Sequence, residues 1–401
     1  MMAADVVLVL QGGGALGAFE CGVWKVLAPA LRAGGHRLAV VGGASIGALN
    51  AAVIASRYTE PDQGTAALER FWRESLATAP LPFMPLPGNY FEAWNGLLTG
   101  LFCGNRSLYR PEYLNWSPLA GRQRIARPFF DTVPMRRTVQ ELLGGPVYEP
   151  QPGSPVLFMR STDLQQGTSE TFHSRHHRIT AEMLRASGSM PLIFPAIALD
   201  GVPHVDGDAG AHSALGGAID VLREVDPRQL FGGDEPPLLI NVELHQRASD
   251  ELPCTGLEMA HRLVNALQAG KSDADLALLA SEAEHAEVMR ELDAMLSIQP
   301  DGAAARLVRQ QLARLKLRRA PQVRPRIVQI GREALPNEHV SNFFDYSPVR
   351  IDALIRQGME EARRCLQREL PELARCVEAA PGRAGLPAAP PQFSRPHLHT
   401  V

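Results

Sequence analysis

The apolar positions near the start of the chain predict two strand–helix units. Val6 to Leu10 form a continuous apolar run, which is typical of a strand buried on both faces. After a glycine-rich segment, apolar residues recur at helical spacing from Leu16 to Leu27. Leu38 to Val41 predict the next strand, and Ala48 to Ala55 predict the next helix. This order predicts an α/β fold in which helices cover a mostly parallel central sheet.

The rest of the chain alternates less regularly and contains two candidate insertions. Residues 80–130 are rich in proline and aromatic side chains, and we interpret them as a cap-like insertion or as a satellite core cluster. Residues 256–320 are rich in Ala, Leu, Glu and Arg and predict a helical insertion. The later strand candidates are Val156–Met159, Thr171–Phe172, Leu238–Leu244 and Arg326–Ile330. The aromatic residues of the cap-like insertion are Phe83, Tyr90, Phe91, Trp94, Phe102, Tyr109, Tyr113 and Trp116.

Composition restricts the class of protein. Of the 401 residues, 45% are hydrophobic and 21% are charged, which is typical of a soluble globular protein with a large core. The net charge of -3 gives no global attraction to nucleic acid, so we predict no nucleic-acid partner. The five cysteines form no CxxC pair, which argues against a disulfide framework and against a zinc ribbon. Composition leaves the oligomeric state open.

Two stretches bear on contact with membranes. Residues 38–56 carry no charge and have the length of a membrane span, but Gly42, Gly43 and Asn50 favour a buried strand, a turn and a buried helix. The end of the helical insertion is basic and could contact an anionic membrane, although a solvated face is the commoner explanation of such a run. The chain starts without a basic region and cleavage site, so we predict a cytoplasmic protein, with peripheral membrane contact as an option. The basic residues are Arg306, Arg309, Arg314, Lys316, Arg318 and Arg319.

Two glycine-rich motifs follow the first two predicted strands. The motif from Gly43 to Gly47 has the spacing of a nucleophile elbow, in which a strained strand-to-helix turn would expose the Oγ of Ser45. The loop from Gly12 to Gly17 offers backbone N–H groups at the start of a helix, where negative charge is stabilised. Acyl transfer requires a nucleophile and an anion cradle. The two motifs therefore indicate a serine hydrolase.

Two kinds of base could activate Ser45. Asp206 lies among glycines, where it could accept the serine proton or close an Asx turn. The rival arrangement is a Ser-His-Asp triad, for which His204 and His212 are the first histidines to consider. The next histidines to consider are His173, His176 and His177.

Two other kinds of site fit the sequence less well. The glycine loop also matches G-x-G-x-x-G, but the second strand ends without an acidic residue for a ribose, and no Walker A lysine is present. His173, His176 and His177 could bind a metal, but the sequence shows no obvious helical carboxylate partner for them. We therefore expect no nucleotide and no metal, and we interpret the histidine cluster as a solvated loop.

The motifs taken together resemble the bacterial patatin-like phospholipases. The resemblance spans most of residues 5–365, and its combination of motifs is more specific than any single one. It implies a three-layer α/β/α fold with a nucleophile elbow, and hydrolysis of fatty-acyl esters. The segments that carry it are Leu8–Phe19, Gly43–Ala51, Arg160–Leu164, Ala186–Pro191 with Phe194-Pro195, Val205–Gly207 and Phe344–Ser347.

The resemblance also implies roles for particular residues. It implies a Ser-Asp dyad that works through an acyl-enzyme, with Ser45 as the nucleophile and Asp206 as the base. It implies a lipid or other acyl ester as substrate, without a metal or an organic cofactor. The implied oxyanion hole uses backbone N–H groups of Gly12, Gly13, Gly14 and Ala15. The implied supporting positions are Gly17, Gly43, Gly47, Gly207 and Asp208.

Two positions depart from the pattern of the family. Leu16 stands where many members have an arginine or lysine, and an anion site built from backbone donors should tolerate this change. Asp208 stands where the family usually has Gly or Ala, and its charge could raise the pKa of Asp206 by repulsion, or its side chain could equally point to solvent. This departure leaves open a catalytically weak or inactive scaffold that binds lipid or protein. The same dyad would also serve thioesters or polyesters.

The domain organisation follows from these assignments. We expect one acyl hydrolase domain over residues 1–375, which includes both insertions. The proline-rich residues 376–401 are expected to form a disordered tail.

Overall fold

The computed structural model describes residues 4–82, 88–112, 128–232, 235–249, 252–298 and 324–378, together with residues 302, 307, 308 and 310. Three predictions fall wholly or partly outside these residues. They are the disorder of the tail beyond residue 378, the membrane contact of the basic segment, and the structure of residues 113–127 in the cap-like insertion.

The described residues form ten strands and twelve α-helices. The strands are β1 Asp5–Leu10, β2 Arg37–Gly43, β3 Arg110–Pro111, β4 Phe130–Asp131, β5 Val156–Asp163, β6 Thr168–His173, β7 Ile197–Leu199, β8 Val202–Asp206, β9 Leu238–Glu243 and β10 Arg326–Gly331. The helices are α1 Ala18–Ala33, α2 Ile46–Arg57, α3 Thr65–Arg70, α4 Asn89–Phe102, α5 Val133–Leu143, α6 Ala181–Ser187, α7 Ala214–Glu224, α8 Pro227–Leu230, α9 Gly256–Ile298, α10 Glu338–Ser341, α11 Pro348–Glu369 and α12 Pro371–Glu378.

A single mixed sheet lies at the centre of the fold. Its order is β10–β9–β1–β2–β5–β8–β7, and β6 also pairs with β5. Strands β10, β9, β1, β2 and β5 are parallel, whereas β6, β7 and β8 pair antiparallel. The predicted α/β fold with a mostly parallel central sheet is therefore confirmed.

The continuous apolar run of β1 is explained by helices on both faces of the sheet. Val6, Leu8 and Leu10 join a core cluster that includes residues of α1, α2 and α11. Val7 and Val9 join a second cluster that includes residues of α7 and Leu279 of α9. Because both faces of the strand are covered, the fold has three layers, as the sequence predicts.

Strands β7 and β8 form a hairpin that the sequence analysis does not predict. Its turn is formed by Asp200 and Gly201, both with positive φ, between the paired residues Leu199 and Val202. An Asp-Gly pair with positive φ at both positions is typical of a two-residue hairpin turn. The signal was present in the sequence, but Pro203 and the polar residues beside it interrupt the apolar pattern.

The pairing of β5 brings the ends of β2 and β8 together. β2 pairs with Val156–Met159, and β8 pairs with Ser161–Asp163. β6 pairs with residues 158–163 of β5, so it occupies one edge while β2 and β8 share the other. Since β8 runs antiparallel to β5, its last residue, Asp206, lies toward the carboxyl end of β2.

The uncharged stretch over residues 38–56 does not form a membrane span. It is divided between β2 and α2, whose residues are buried within the fold. Across the described part of the chain, every helix is too short or too polar to traverse a bilayer.

Helices α1 and α11 cross closely at two glycines. A Cβ added at Gly22 would lie 2.0 Å from the Ile355 carbonyl oxygen, and one added at Gly358 would lie 2.0 Å from the Phe19 carbonyl oxygen. Side chains at these positions would therefore push the two backbones apart.

We expect Gly358→Ala to lower the free energy of unfolding by about 1–3 kcal/mol, since the new methyl group overpacks the crossing. The control is Gly270→Ala on α9, where an added Cβ meets nothing within 4 Å. Because alanine favours a helix more than glycine does, this control should raise stability by about 0.5–1 kcal/mol. Urea unfolding of both variants measures the difference, and equal effects of the two substitutions would contradict the explanation.

Candidate active site

Ser45 lies on a strained turn between β2 and α2. Its backbone has φ 52° and ψ −128°, a conformation that residues with a side chain rarely adopt. The turn packs tightly against the Leu10 carbonyl oxygen, which would lie 2.1 Å from a Cβ at Gly43 and 2.3 Å from one at Gly47. The G-x-S-x-G spacing thus has a steric reason, and the turn has the geometry of a nucleophile elbow.

The Ser45 side chain is near enough to Asp206 to influence its carboxylate. A hydrogen bond from the Ser45 side chain is one of the interactions that lower the pKa of Asp206. The Ser45 N–H donates to Ser187 Oγ at 3.0 Å, and the Asp206 N–H donates to the Ser189 carbonyl at 2.9 Å. The segment that ends α6 therefore holds the backbones of both residues.

Asp206 also closes a turn, which is the second interpretation that the sequence offers for this residue. Its Oδ1 accepts the Asp208 N–H at 2.8 Å, at the start of a 3₁₀ turn over Gly207–Ala209. Gly207 is required there because an added Cβ would lie 2.5 Å from the Arg160 carbonyl oxygen. A carboxylate can accept several hydrogen bonds, so the Asx turn and the contact with Ser45 are compatible.

The pKa of Asp206 is raised from 3.8 to about 7, chiefly by burial and also by the charge of Asp208. Hydrogen bonds from Ser45 and the Asp208 N–H lower this pKa, as does the charge of Lys271. The repulsion that the sequence analysis considers between the two carboxylates is therefore present. A base with a pKa near 7 is matched to work at neutral pH.

Asp208 is buried beside the glycine loop. A Cβ added at Gly12 would lie 1.9 Å from Asp208 Oδ2 and 2.8 Å from Ser45 Cβ, so the three residues are in close contact. Burial raises the pKa of Asp208, while the charges of Lys271 and Arg160 and a hydrogen bond from the Gly12 N–H lower it. The Asp208 carboxylate therefore uses one of the four backbone donors that the sequence predicts for an anion.

His245 fixes the orientation of the glycine loop. Its Nε2 lies 3.1 Å from the Gly12 carbonyl oxygen, and its Nδ1 lies 2.9 Å from Asn265 Oδ1 on α9. The Gly12 carbonyl and the Gly13 N–H belong to one planar trans peptide and point in opposite directions. Anchoring the carbonyl therefore aims the Gly13 N–H away from His245. Burial lowers the pKa of His245 to about 4, so the ring is neutral at neutral pH.

The rest of the glycine loop leads into helix α1. Gly14 has φ 55° and begins a 3₁₀ turn that includes Ala15 and ends at Gly17. A Cβ at Gly14 would lie 2.7 Å from the Phe343 carbonyl oxygen, and one at Gly17 would lie 2.7 Å from Ile46. These glycines allow the loop to pass between the elbow and the segment before α11.

The histidines of the rival triad are engaged elsewhere. His204 Nδ1 lies 2.9 Å from Ser161 Oγ, and His212 Nδ1 lies 2.6 Å from Asp275 Oδ1. His173 Nε2 lies 3.1 Å from Glu224 Oε2, well outside the elbow. Within the described residues, no histidine forms a hydrogen bond with Ser45, which argues against the triad.

A small apolar pocket with a cavity volume of ≈ 40 Å³ opens beside Ser45. Of the cap-like insertion, Leu108 and Tyr109 line this pocket. Its other aromatic residues are Phe194, Phe343, Phe344 and Tyr346. Four other aromatic residues of the cap-like insertion do not line the pocket: Tyr90, Phe91 and Phe102 are exposed, and Trp94 is partly buried. Phe83, Tyr113 and Trp116 fall outside the described residues.

Sequence reasoning missed three residues that shape the site. They are Ser187, which binds the Ser45 backbone, His245, which binds the loop, and Lys271, whose charge acts on both aspartates. For Lys271 a signal existed, since the buried polar residues Asn265, Ser272 and Asp275 recur at helical spacing around it on α9. Polar residues that recur at helical spacing indicate a helix face that contacts other polar groups and not a hydrophobic core.

The comparisons with known proteins agree with the motifs. A family model described as patatin-like phospholipase matches residues 8–211, which is just over half of the 401 residues. No curated protein matches the chain. Among solved structures, VipD from Legionella pneumophila aligns with 91% of this chain and 67% of its own, at 15% identity and a TM-score of 0.34. A TM-score this low carries no argument about fold or function.

The raised pKa of Asp206 predicts a pH-dependent effect of Asp206→Asn on stability. Folding favours the protonated carboxyl, so its stabilising contribution is complete below about pH 4 and is lost as the pH rises through about 7. An amide does not ionise, so the free energy of unfolding of the variant, relative to that of the wild-type protein, should rise by about 2–3 kcal/mol between pH 5 and pH 8. Urea unfolding at both pH values measures this gain.

The control for this measurement is Asp200→Asn at the exposed turn between β7 and β8. It makes the same chemical change without removing a buried charge. A gain of the same size in the control, or none in Asp206→Asn, would contradict the raised pKa.

Proposed function

Because the chain belongs to the patatin-like phospholipase family, we propose that it is a lipid acyl hydrolase with Ser45 as nucleophile and Asp206 as base. One observation carries this proposal. The Ser45 side chain, on a strained elbow, acts on a carboxylate whose pKa is near 7, and a small apolar pocket opens beside it. An activated hydroxyl next to an apolar surface suits cleavage of a fatty-acyl ester.

The reaction proceeds through an acyl-enzyme. Asp206 takes the Ser45 proton as Ser45 Oγ bonds to the acyl carbon, and the ester carbonyl oxygen becomes an oxyanion. Asp206 then gives the proton to the leaving alcohol as the bond from the acyl carbon to the alcohol oxygen breaks. Water repeats the sequence: it loses a proton to Asp206, its oxygen bonds to the acyl carbon, and Ser45 leaves with the proton. The product is the free fatty acid.

The glycine loop stabilises the oxyanion in this proposal. Since the Gly12 N–H is used by Asp208, the donors for the oxyanion are the N–H groups of Gly13 and Gly14. His245 acts as a positioning residue, because its contact with the Gly12 carbonyl sets the direction of the Gly13 N–H. Donors that are fixed before the reaction need no reorganisation as the charge develops.

An exposed apolar stripe supports contact with a lipid surface. Met259, Leu263 and Leu267 follow one another at four-residue spacing on α9 and are 61%, 58% and 58% exposed. They lie on the side of α9 opposite the buried Asn265, which reaches His245. A lipid surface that covers this stripe would contact the outer face of α9, the helix whose buried face reaches His245, and membrane contact fits an enzyme that acts on lipids.

A catalytically weak scaffold is the second candidate. The observation that favours it is the Asp208 carboxylate, which already accepts the Gly12 N–H and places a second negative charge near the developing oxyanion. The test below distinguishes the two, because a scaffold would fold without an activated serine.

We expect a fluorophosphonate probe to label Ser45, since the probe reports a serine activated by a base. Ser45→Ala should abolish labelling and the hydrolysis of a p-nitrophenyl acyl ester, and Asp206→Asn should lower both by about 10³-fold or more. Mass spectrometry should locate the label in the tryptic peptide 38–57.

Ser56 provides a matched control, since it is the second serine of that peptide. Ser56→Ala should keep both the label and the activity. Labelling that survives in Ser45→Ala, or folded wild-type protein that is never labelled, would contradict the enzyme assignment and support the scaffold.

Substitutions of Asp208 and Lys271 should shift the pH profile of kcat/KM in opposite directions. Asp206 acts as a base only when it is deprotonated, so activity should rise with pH around about 7. Asp208→Asn removes a charge that raises the pKa of Asp206, so the rise should move to lower pH by about one unit. Lys271→Met removes a charge that lowers this pKa, so the rise should move to higher pH. Shifts in the same direction, or no shift in either variant, would exclude Asp206 as the base.

A further inference from the structure

Two histidines and a glutamate converge at the end of α7 that is remote from Ser45. His173 ends β6, His176 follows in the next turn, and Glu224 is the last residue of α7. Each can offer one ligand atom, and these three atoms all lie within 4.8 Å of one another. The sequence shows the histidines but not their carboxylate partner, because Glu224 is distant along the chain and approaches only through the packing of α7 on the sheet.

We propose that His173, His176 and Glu224 form a binding site for a zinc ion. Imidazole nitrogens with a carboxylate oxygen are common Zn²⁺ ligands, whereas Mg²⁺ and Ca²⁺ prefer oxygen ligands alone. Three protein ligands leave the fourth tetrahedral position for a water molecule. This proposal is independent of the dyad and of the acyl hydrolase assignment.

The spacing of the ligand atoms suits this ion. Around a tetrahedral Zn²⁺ with bonds of about 2.0–2.1 Å, neighbouring ligand atoms lie about 3.3 Å apart. His173 Nε2 and Glu224 Oε2 are 3.1 Å apart, close to this value. His176 is exposed and Glu224 is half exposed, so both side chains can adjust to close the remaining gap.

The buried histidine is free to present a lone pair. His173 is fully buried, and its Nδ1 has no hydrogen-bond partner within the described structure. Moving the ring proton from Nε2 to Nδ1 therefore breaks no bond at Nδ1 and leaves the Nε2 lone pair for the metal. The metal would take the place of the existing hydrogen bond between Nε2 and Glu224.

The backbone of the turn holds His176 in place over His173. The N–H groups of His176 and His177 both donate to the His173 carbonyl, at 3.1 and 2.9 Å. The rings of His173 and His176 have centroids 4.5 Å apart, so their nitrogens can face a common point. His177 has a different role, because its Nδ1 accepts the His173 N–H and its ring packs against Phe172.

An ion at this position would tie the end of β6 to the end of α7. Helix α7 begins just after the Asp206–Ala209 segment, and its 11 residues span about 16 Å. The site would therefore stabilise the fold without taking part in the chemistry at Ser45. Anything that binds only the folded state raises its stability, by an amount that grows with the ratio of the free ligand concentration to Kd.

The test uses the full chain, freed of metal with a chelator and titrated with ZnCl₂ by calorimetry. We expect one Zn²⁺ per chain, a higher Tm with Zn²⁺ than with chelator, and no comparable effect of MgCl₂. His176→Gln and Glu224→Gln should each weaken binding by about tenfold or more, and should remove the Zn²⁺-dependent rise in Tm. Their Tm values in chelator serve to show that both variants still fold.

Matched controls define the ligand set. His177→Gln should bind Zn²⁺ as the wild-type protein does, and so should a double Cys103→Ser and Cys254→Ser variant, which removes the two exposed thiols. Ser45→Ala should also bind normally, which separates this proposal from the proposed function. The proposal is overturned if the wild-type protein binds no Zn²⁺, if both ligand variants bind as tightly as the wild type, or if His177→Gln or the cysteine variant loses binding.

Discussion

The candidate site depends on one edge of β5, where β2 and β8 meet from opposite directions. Gly43 pairs with Met159, and Asp206 pairs with Ser161 on the same strand. Hydrogen-bond register between strands fixes the distance between the elbow and the carboxylate before any loop is considered. This explains why Ser45 can be held in a strained conformation, since the strands and α2 on either side are buried and determine the turn. Groups carried by strand ends are positioned more precisely than groups on free loops.

The long helix α9 completes the electrostatics of this site. Two buried carboxylates with neighbouring charges destabilise each other, and the positive charge of Lys271 lowers the pKa of both. On the same helix, Asn265 contacts His245, and Asp275 accepts hydrogen bonds from the N–H and the hydroxyl of Ser213 at the start of α7. The helical insertion is therefore packed against the candidate site, whereas the sequence analysis predicts only that it is helical.

The sequence was sufficient wherever chemistry and structure were local. The run Val6–Leu10 predicts a doubly covered strand, and the glycines of the elbow predict a turn that no Cβ can enter. Sequence reasoning failed where the position of a side chain is set by residues that are distant along the chain. The partner of the histidine cluster, Glu224, and the anchor of the loop, His245, come from elements far along the chain. The aromatic residues of the cap-like insertion show the same limit. Their apolar character alone does not tell which of them are buried, because burial depends on how distant elements pack.

The charge beside the elbow bears on how the reaction would end. A fatty acid is an anion at neutral pH, and at Ser45 it would lie against Asp206 and Asp208, two acidic groups shielded from water. Repulsion between like charges is strongest where water is excluded. The ester group itself carries no such charge, so in the proposed reaction the same surroundings would admit it and would favour departure of the ionised product. The second aspartate, which weakens the anion cradle, would in this way help to clear it for the next turnover.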